Sequence, residues 1–343
     1  MATIKDVAKA AGVSIGIVSK AFNNYPDISD KTRKRILEVA AEMNYTPNVI
    51  AKNLSSKKRL TIGMITSGFL DMNGKDNYNA FNLFKGAYSA VEDNQYELAY
   101  FFTDTNRQKQ KSYTQFCRER NIGGAILQGI SVNDPYFQDL VDTKIPCVLI
   151  DISTNSNNGL ISNVSTNNFE ASRDIANYLI ERNHRDIAVI AGKVETVVNS
   201  QRIEGVLAAF QSNKLELKEE DVLYADFSEE LAYERTKEYL KQKVPTAFLC
   251  FSDLMAFGVM KAVKEAGLRI PEDISITGFD GLIITEYTQP LLTTVKQDFF
   301  EIGKQAALLL QQMMDNHDDR LIGKKVYIEH EIIERESVKR LKL

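Results

Sequence analysis

From residue 60 onward, short apolar runs typical of β-strands alternate with stretches of helical spacing. Such alternation is typical of parallel sheets covered by helices, because parallel strands need a crossover connection. Seven or more strand–helix units exceed one compact sheet, so the sequence predicts an α/β body with two similar lobes and a cleft between them. The predicted strands are 60–67, 96–102, 124–129, 146–151, 187–192, 246–253 and 274–280, and the predicted helices include 169–182, 202–213, 229–242 and 254–267.

The first 23 residues, MATIKDVAKAAGVSIGIVSKAFN, predict two short helices joined by a turn. Gly12 suits a turn that needs a positive φ, and Ser14 is placed to cap the second helix. This pattern predicts a helix-turn-helix, whose second helix would lie in a DNA major groove and present Ile15, Gly16 and Lys20. The alternative is a helical pair that only packs on the body of the protein.

A third helix is predicted from a cap at Ser29 to about Asn44. Its first turns carry Lys31, Arg33, Lys34 and Arg35, and cations there oppose the helix dipole. A polyanionic neighbour explains them better than helix stability does. The net charge is +6 over residues 1–60 (11 Lys+Arg, 5 Asp+Glu) and −4 over the whole chain, which leaves −10 for residues 61–343. This asymmetry predicts that phosphate binding is confined to the N-terminal end.

Residues 44–59, NYTPNVIAKNLSSKKR, allow two interpretations. Pro47 is compatible with the first position of a short amphipathic helix that contains Leu54. So short a helix is marginal alone in water and would form only on DNA, where Leu54 would be an apolar wedge in the minor groove. The alternative is a plain interdomain linker.

Polar residues follow several of the predicted strands. In open α/β sheets, ligands bind beyond the carboxyl ends of the strands, so these residues predict a site for a small ligand rich in hydroxyls or amides. The alternative is that they cap the following helices, and for Asp253 capping is the favoured role. The residues at these ends are Thr66, Ser67, Gln128, Asp151, Ser252, Asp253 and Asp280.

The run TIKDVAKAAGVSIGIVSKAFN, followed by ISDKTRKRILEVAAEMNYTPNVIAKNLSSKK, resembles the headpiece and hinge of the lactose-repressor/galactose-repressor (LacI/GalR) family. The resemblance extends over nearly the whole chain. It implies a helix-turn-helix headpiece (1–47), a hinge helix and linker (48–59), and an effector-binding and dimerisation domain (60–343) of the periplasmic-binding-protein type. It also implies three crossings between the lobes, expected near 161–164, 287–293 and 322–327.

The resemblance also implies two sets of contact residues. For Arg202 and Asp280 the alternative to a ligand contact is a salt bridge across the lobes, and for Phe227 it is ordinary core packing. The implied DNA contacts are Thr3, Ser14, Ile15, Gly16, Ser19, Lys20, Asn23, Lys31, Arg33, Asn48, Ala51 and Leu54. The implied effector contacts are Thr66, Tyr78, Phe81, Gln128, Asp151, Arg202, Phe227, Ser252, Asp280 and Gln297.

Several positions depart from the family pattern. The segment GFLDMNGKDNYNAF (68–81) is longer than its usual counterpart, Ile152 follows Asp151 where a polar residue is frequent, and Ser252 replaces an amide. Lys20 replaces the usual Arg and lacks its bidentate fork. Neither the effector nor the operator sequence can therefore be copied from a relative.

Other functional classes fit the sequence poorly. Gly12–Gly16 matches the G-x-S-x-G nucleophile elbow, but the elbow needs a preceding strand, and only eleven residues with a helical pattern precede it. We expect no enzyme activity, cofactor or metal, because the three histidines lie apart from any ligand-spaced partner. Cys117, Cys147 and Cys250 suggest buried, reduced thiols in the cytoplasm. A solute-binding protein would need an export signal, which the sequence does not show.

The sequence thus predicts a cytoplasmic homodimeric transcription repressor that binds a pseudo-palindromic operator and responds to a small molecule between its lobes. A sugar or sugar derivative is the first choice of effector, and a nucleobase or nucleoside is the second. A phosphorylated carrier protein as partner stays open, as does the choice between inducer and corepressor.

Overall fold

The computed structural model describes residues 2–22, 25–45, 60–67, 77–152, 154, 158–315 and 323–342. The chain divides into two compact units, Met1–Leu60 and Thr61–Leu343. The predicted hinge, 48–59, lies outside the described residues, and so do the predicted DNA contacts Asn23, Asn48, Ala51 and Leu54.

The N-terminal unit contains three helices: α1 (Ile4–Ala11), α2 (Ile15–Phe22) and α3 (Asp30–Glu42). The turn between α1 and α2 contains Gly12 at φ 64°, a conformation that favours glycine. Hydroxyl caps begin all three helices, because Thr3, Ser14 and Ser29 each accept a backbone N–H from the first turn. The three helices enclose a small core, and its fully buried members include Val7, Val18 and Ile36.

The second unit confirms the prediction of two lobes built on mostly parallel sheets. The strands are β1 (Thr61–Ser67), β2 (Glu97–Thr103), β3 (Ile122–Gln128), β4 (Cys147–Ile150), β5 (Ile161–Thr166), β6 (Ile187–Ala191), β7 (Val222–Tyr224), β8 (Ala247–Cys250), β9 (Ser275–Asp280), β10 (Thr293–Gln297), β11 (Lys325–Ile328) and β12 (His330–Ile333). The helices are α4 (Asn77–Val91), α5 (Thr105–Gln110), α6 (Tyr113–Glu119), α7 (Pro135–Asp139), α8 (Asn168–Glu181), α9 (Val197–Ser212), α10 (Glu229–Leu240), α11 (Asp253–Glu265) and α12 (Phe299–Asp315).

Each lobe contains one sheet of six described strands. The order is β11-β5-β4-β3-β1-β2 in the first lobe and β12-β10-β9-β8-β6-β7 in the second. The strands pair in parallel, apart from the antiparallel pair β10–β12. The carboxyl ends of the parallel strands therefore meet at one edge of each sheet, where the polar side chains were predicted.

The positions of the three crossings correct the expected ones. The chain leaves the first sheet after β5, at Asn167, and returns after β10, at Asp298. It crosses again at Glu329, between β11 and β12. The expected ranges 161–164 and 322–327 fall on or before the last strand of the lobe being left, and 287–293 ends at the first residue of β10. The error arises because β5, β10 and β11 were not predicted as strands.

Helices α4 and α12 pack closely on one another at positions where each of them has a glycine. A Cβ at Gly303 of α12 would lie 1.9 Å from the carbonyl oxygen of Leu83 in α4, and one at Gly86 would lie 1.8 Å from that of Phe300. Helix α12 therefore lies backbone to backbone with α4 and belongs to the first lobe. Cys117, Cys147 and Cys250 are buried, as expected, and none of them forms a disulfide. No helix among the described residues is long and apolar enough to span a membrane.

Candidate functional site

The predicted recognition helix α2 has an exposed face. Ile15, Gly16 and Ile17 are exposed at its first turn, as a base-contacting surface requires. Lys20, further along, forms an ion pair with Asp27 in the loop before α3, and both side chains remain about half exposed. Contact between Lys20 and a base would therefore require the ammonium group to exchange partners.

The cations at the start of α3 do not share one role. Lys31, Lys34 and Arg35 are exposed. Arg33 is instead turned toward its own loop, where its guanidinium donates to the carbonyl oxygen of Tyr25 at 2.8 Å and pairs with Asp30 at 3.2 Å. These bonds give Arg33 a structural role in holding the loop that enters α3, and the DNA contact expected of it stays a prediction.

A cavity of about 410 Å³ lies between the two sheets of the second unit. Its volume is suited to a small molecule. Eight of the ten predicted effector contacts line it: Thr66, Gln128 and Asp151 from the first lobe, and Arg202, Phe227, Ser252, Asp280 and Gln297 from the second.

Arg202, on α9, is the cation of this cavity and is buried. Its Nε donates to Asn168 Oδ1 at 2.8 Å, its Nη1 donates to the carbonyl oxygen of Phe251, and its guanidinium lies 3.6 Å from the centre of the Phe279 ring. Burial lowers the pKa of Arg202 to about 10, and the nearby carboxylates of Asp280 and Asp151 oppose that shift. The guanidinium is therefore charged at neutral pH and rigidly held.

Asp280 and Gln297 stand side by side at the ends of β9 and β10. Gln297 Nε2 donates to Asp280 Oδ1 at 2.8 Å, and its Oε1 is buried without a partner. Asp280 adopts φ 126°, an uncommon conformation for a non-glycine residue, and Gly281 follows at φ 73°. Backbone strain of this kind is often found at ligand sites.

Asp151 follows β4 and lines the cavity from the first lobe, also with a positive φ of 60°. Its Oδ1 is buried and makes no hydrogen bond. Burial raises the pKa of Asp151 to about 6, and the charge of Arg202 opposes the shift. The folded protein thus holds a carboxylate that is short of hydrogen-bond donors.

The remaining predicted residues complete the walls. The Thr66 hydroxyl lies 2.9 Å from the Tyr100 hydroxyl and 3.4 Å from Gln128 Oε1. The Phe227 ring packs so closely on Gly192 that a Cβ there would lie 2.1 Å from the ring. Phe227 therefore belongs both to the core and to the cavity wall, which combines the two roles considered for it.

Ser252, and not Asp253, caps the helix that follows β8. Ser252 caps α11 by accepting from Met255 N at 3.1 Å, although it also lines the cavity. Asp253 is fully buried and accepts from Leu282 N at 2.7 Å and from Thr294 Oγ1 at 2.6 Å. The prediction that Asp253 caps the helix is wrong: its carboxylate holds the turn that follows Asp280.

Tyr78 and Phe81 do not line the cavity, contrary to expectation. Both lie on α4 with exposed side chains, 43% and 56% accessible respectively. Asn79 and Ala80, on the opposite face of the same helical turn, line the cavity instead. Successive helical residues differ by about 100°, so the sequence could not settle which face points inward without knowing where the helix begins.

Sequence reasoning also missed the loop before α9 and the residue that orients Arg202. Glu195–Val198 line the cavity after β6, a strand that was predicted but whose carboxyl end was not among the polar strand ends expected at the site. Asn168, which fixes the Arg202 side chain, follows a strand that was not predicted. Within the described residues, no group of three or more His, Cys, Asp or Glu side chains is arranged to hold a metal ion.

Two family models match the chain. Residues 3–48 match "Bacterial regulatory proteins, lacI family", and residues 176–338 match a periplasmic binding protein-like domain. The chain is 32% identical to the "Probable HTH-type transcriptional repressor ExuR" of Bacillus subtilis (strain 168), covering 99% of both chains. It is also 32% identical to the HTH-type transcriptional repressor PurR of Proteus mirabilis (strain HI4320), covering 98% of this chain and 97% of the relative.

Solved structures agree with these sequence matches. The Lac repressor dimer bound to operator and the anti-inducer ONPF has a TM-score of 0.84 at 25% identity, covering 98% of this chain and 99% of the other. The fold also matches the complex of the transcriptional regulator CelR with cellobiose, with a TM-score of 0.73 at 24% identity, covering 98% of this chain and all of the other.

Proposed function

This chain belongs to the lacI family of bacterial regulatory proteins, and on that premise we propose that it is a transcription repressor controlled by a small ligand bound between its lobes. One observation carries the proposal: eight predicted contact residues, drawn from both lobes, surround one cavity in a chain that begins with a helix-turn-helix. It would act on operator DNA in the cytoplasm.

The cavity supports a sugar or sugar derivative as the ligand. Its polar side chains can exchange hydrogen bonds with several hydroxyl groups, and the Phe227 ring offers a face on which a sugar can pack. A nucleobase or nucleoside is the second candidate, because the same ring can stack on a heterocycle while Asp280 or Asp151 accepts a ring N–H.

The location of the contacts supports a mechanism based on the angle between the lobes. Gln297 directly precedes the crossing at Asp298, and Asn168, which holds Arg202, directly follows the crossing at Asn167. A ligand that touches both lobes would bind more tightly at one angle between them than at another, and it would stabilise the angle that it binds more tightly. An inducer would favour the angle that releases DNA, and a corepressor the angle that binds it.

Selection of DNA from a random-sequence pool by the full-length protein tests the proposal. We expect enrichment of a pseudo-palindromic sequence, because two identical headpieces read two half-sites. A Lys31→Glu/Lys34→Glu variant should lose the enrichment, since both side chains are exposed on α3. A matched Lys144→Glu/Lys193→Glu variant in the second unit should keep it. Failure of the unmodified protein to enrich any sequence would contradict the proposal.

We also propose that the working form is a homodimer. A short helical turn at Ile283–Glu286 and the residue after it expose three large apolar side chains: Ile283, Ile284 and Tyr287. Ile284 is 54% and Tyr287 78% exposed, and such contiguous apolar surface is typical of a protein interface. The Lac repressor structure that this chain resembles is a dimer, so the occupant we propose is a second copy of this chain.

An Ile284→Asp/Tyr287→Asp variant is expected to weaken dimerisation at least tenfold, because it places two charges in the apolar contact. Sedimentation equilibrium of the full-length protein would measure the change. Val244→Asp, at an apolar position 52% exposed elsewhere in the second lobe, is the matched control and should leave the dimer intact. A dimer equally stable in both variants would exclude this surface.

A further inference from the structure

More acidic than basic side chains line the cavity. Asp151, Glu195 and Asp280 are acidic, and Arg202 is the one cation among the described lining residues. Asp253 adds a further buried carboxylate close enough to raise the pKa of Arg202. An anion entering this cavity would lose its hydration and meet an excess of negative charge.

The guanidinium of Arg202 is only partly available to offset that excess. A carboxylate or phosphate is held best by two parallel N–H donors of one guanidinium. Here Nε is bound to Asn168 and Nη1 to the carbonyl oxygen of Phe251, and one face of the group is covered by Phe279. Two of its five N–H donors are therefore used within the protein, and its positive charge is already shared among three neighbouring carboxylates.

Two buried acceptor atoms that face the cavity have no hydrogen-bond donor. Gln297 is only 6% exposed and its Oε1 has no partner, because its Nε2 is turned to Asp280. Asp151 Oδ1 is buried and unpartnered on the other lobe. An unsatisfied buried acceptor costs free energy that a ligand recovers by donating to it.

We infer that the ligand of this cavity is uncharged or cationic and donates hydrogen bonds to Asp151 and Gln297 at the same time, so that anionic derivatives such as sugar phosphates, uronic acids and nucleotides are rejected. This inference rests on the proposed function, because it assumes that the cavity is the effector site. It narrows the sugar and nucleobase candidates to their uncharged or cationic forms, and it makes Asp151 and Gln297 the two residues through which the ligand connects the lobes.

Thermal unfolding of the full-length protein with matched compounds tests the inference. The neutral members are glucose, galactose, ribose and adenosine, glucosamine is the cationic member, and the anionic partners are glucose 6-phosphate, galacturonate, ribose 5-phosphate and adenosine monophosphate. A neutral or cationic ligand at about a hundredfold its dissociation constant should raise Tm by about 5 °C or more. Stabilisation by an anionic member would overturn the inference.

A second measurement needs no known ligand. Asp151→Asn removes a buried charge that lacks donors, so it should raise the Tm of the ligand-free protein by a few degrees near neutral pH. Because the pKa of Asp151 is raised in the folded state, to about 6 from 3.8, its charge destabilises the fold above that range, and the gain should disappear as the pH falls toward 4. Asp253→Asn is the matched control: this carboxylate is also buried but accepts from Leu282 N and Thr294 Oγ1, and the amide nitrogen of Asn would face one of these donors, so the replacement should lower Tm.

The outcomes separate the inference from the proposed function. A fall in Tm for Asp151→Asn would overturn the inference even if no compound in the panel binds, because it would show that the chain itself satisfies this carboxylate. A stabilising anion together with normal selection of operator DNA would overturn the inference and leave the repressor function intact. A chain that selects no DNA sequence would contradict the repressor function whatever the panel shows.

Discussion

The affinity of the full-length dimer for its operator is expected to fall about 10⁴-fold when the salt concentration rises from about 50 to about 200 mM. The N-terminal unit carries a net charge of +6 and exposes Lys31, Lys34 and Arg35 on one helix. If about four cations per protomer reach phosphates, the counterions released give a log–log slope of roughly −7. Titration of labelled operator by fluorescence anisotropy at several salt concentrations measures that slope.

Single substitutions distinguish the loss of a phosphate contact from a change in the net charge of the protein. Lys31→Gln should make the slope of the dimer shallower by about 2, one phosphate contact being lost from each protomer. Lys144→Gln, in the second unit, should not change it. A slope near zero for the unmodified protein would exclude phosphate binding and with it the role assigned to the N-terminal unit.

Replacement of Arg202 by Ala is expected to have the largest effect on the second unit. It would leave the carboxylates of Asp151 and Asp280 in a cavity without a cation, and removal of one partner from a buried charge cluster costs about 3–5 kcal/mol. For a domain of this size, the fall in Tm should be about 10 °C. Ligand binding should be lost as well, and calorimetry with any stabilising compound from the panel would measure that loss.

Arg182→Ala is the matched control for that substitution. Arg182 also stacks on an aromatic ring, at 3.5 Å from the centre of Tyr178, but its ionic partner Glu334 is largely exposed. Its replacement leaves no buried charge unpaired, so it should cost no more than about 1–2 kcal/mol and spare ligand binding. Equal losses for the two variants would show that Arg202 acts through packing alone.

The sequence predicted the fold because its strongest pattern, apolar runs alternating with helical spacing, continues along most of the second unit. The strands it missed are short or carry polar residues: β7 has three residues, and β11 alternates exposed with partly buried positions. Such segments become strands only through pairing with a neighbour, which a local pattern cannot reveal. The crossings follow β5, β10 and β11, none of which was predicted, and for that reason they were misplaced.

The cavity could be predicted largely from one topological rule, that ligands lie beyond the carboxyl ends of parallel strands. The rule and the family resemblance found Asp151, Arg202 and Gln297, but neither could show which of their atoms would be left without partners. Which helical side chains face the cavity was harder to predict, as Tyr78 shows, because the orientation of each side chain depends on where the helix begins. The structural role of Arg33 could not be predicted, because a charge pattern does not show the carbonyl oxygen of Tyr25, eight residues away in the loop, to which it donates.

The three crossings have a consequence for how this chain is made. Helix α12 and strand β11 complete the first lobe, yet they follow the whole of β6–β10 in the sequence. A ribosome therefore releases nearly all of the second lobe before it releases the helix that covers α4. During synthesis the first lobe must wait without α12 and β11, whereas the second lobe lacks its edge strand β12 and residues 335–341, which bond to β9 and to the turn after α8. Chain termination after residue 298 would thus leave the lobe that was made first as the less complete of the two.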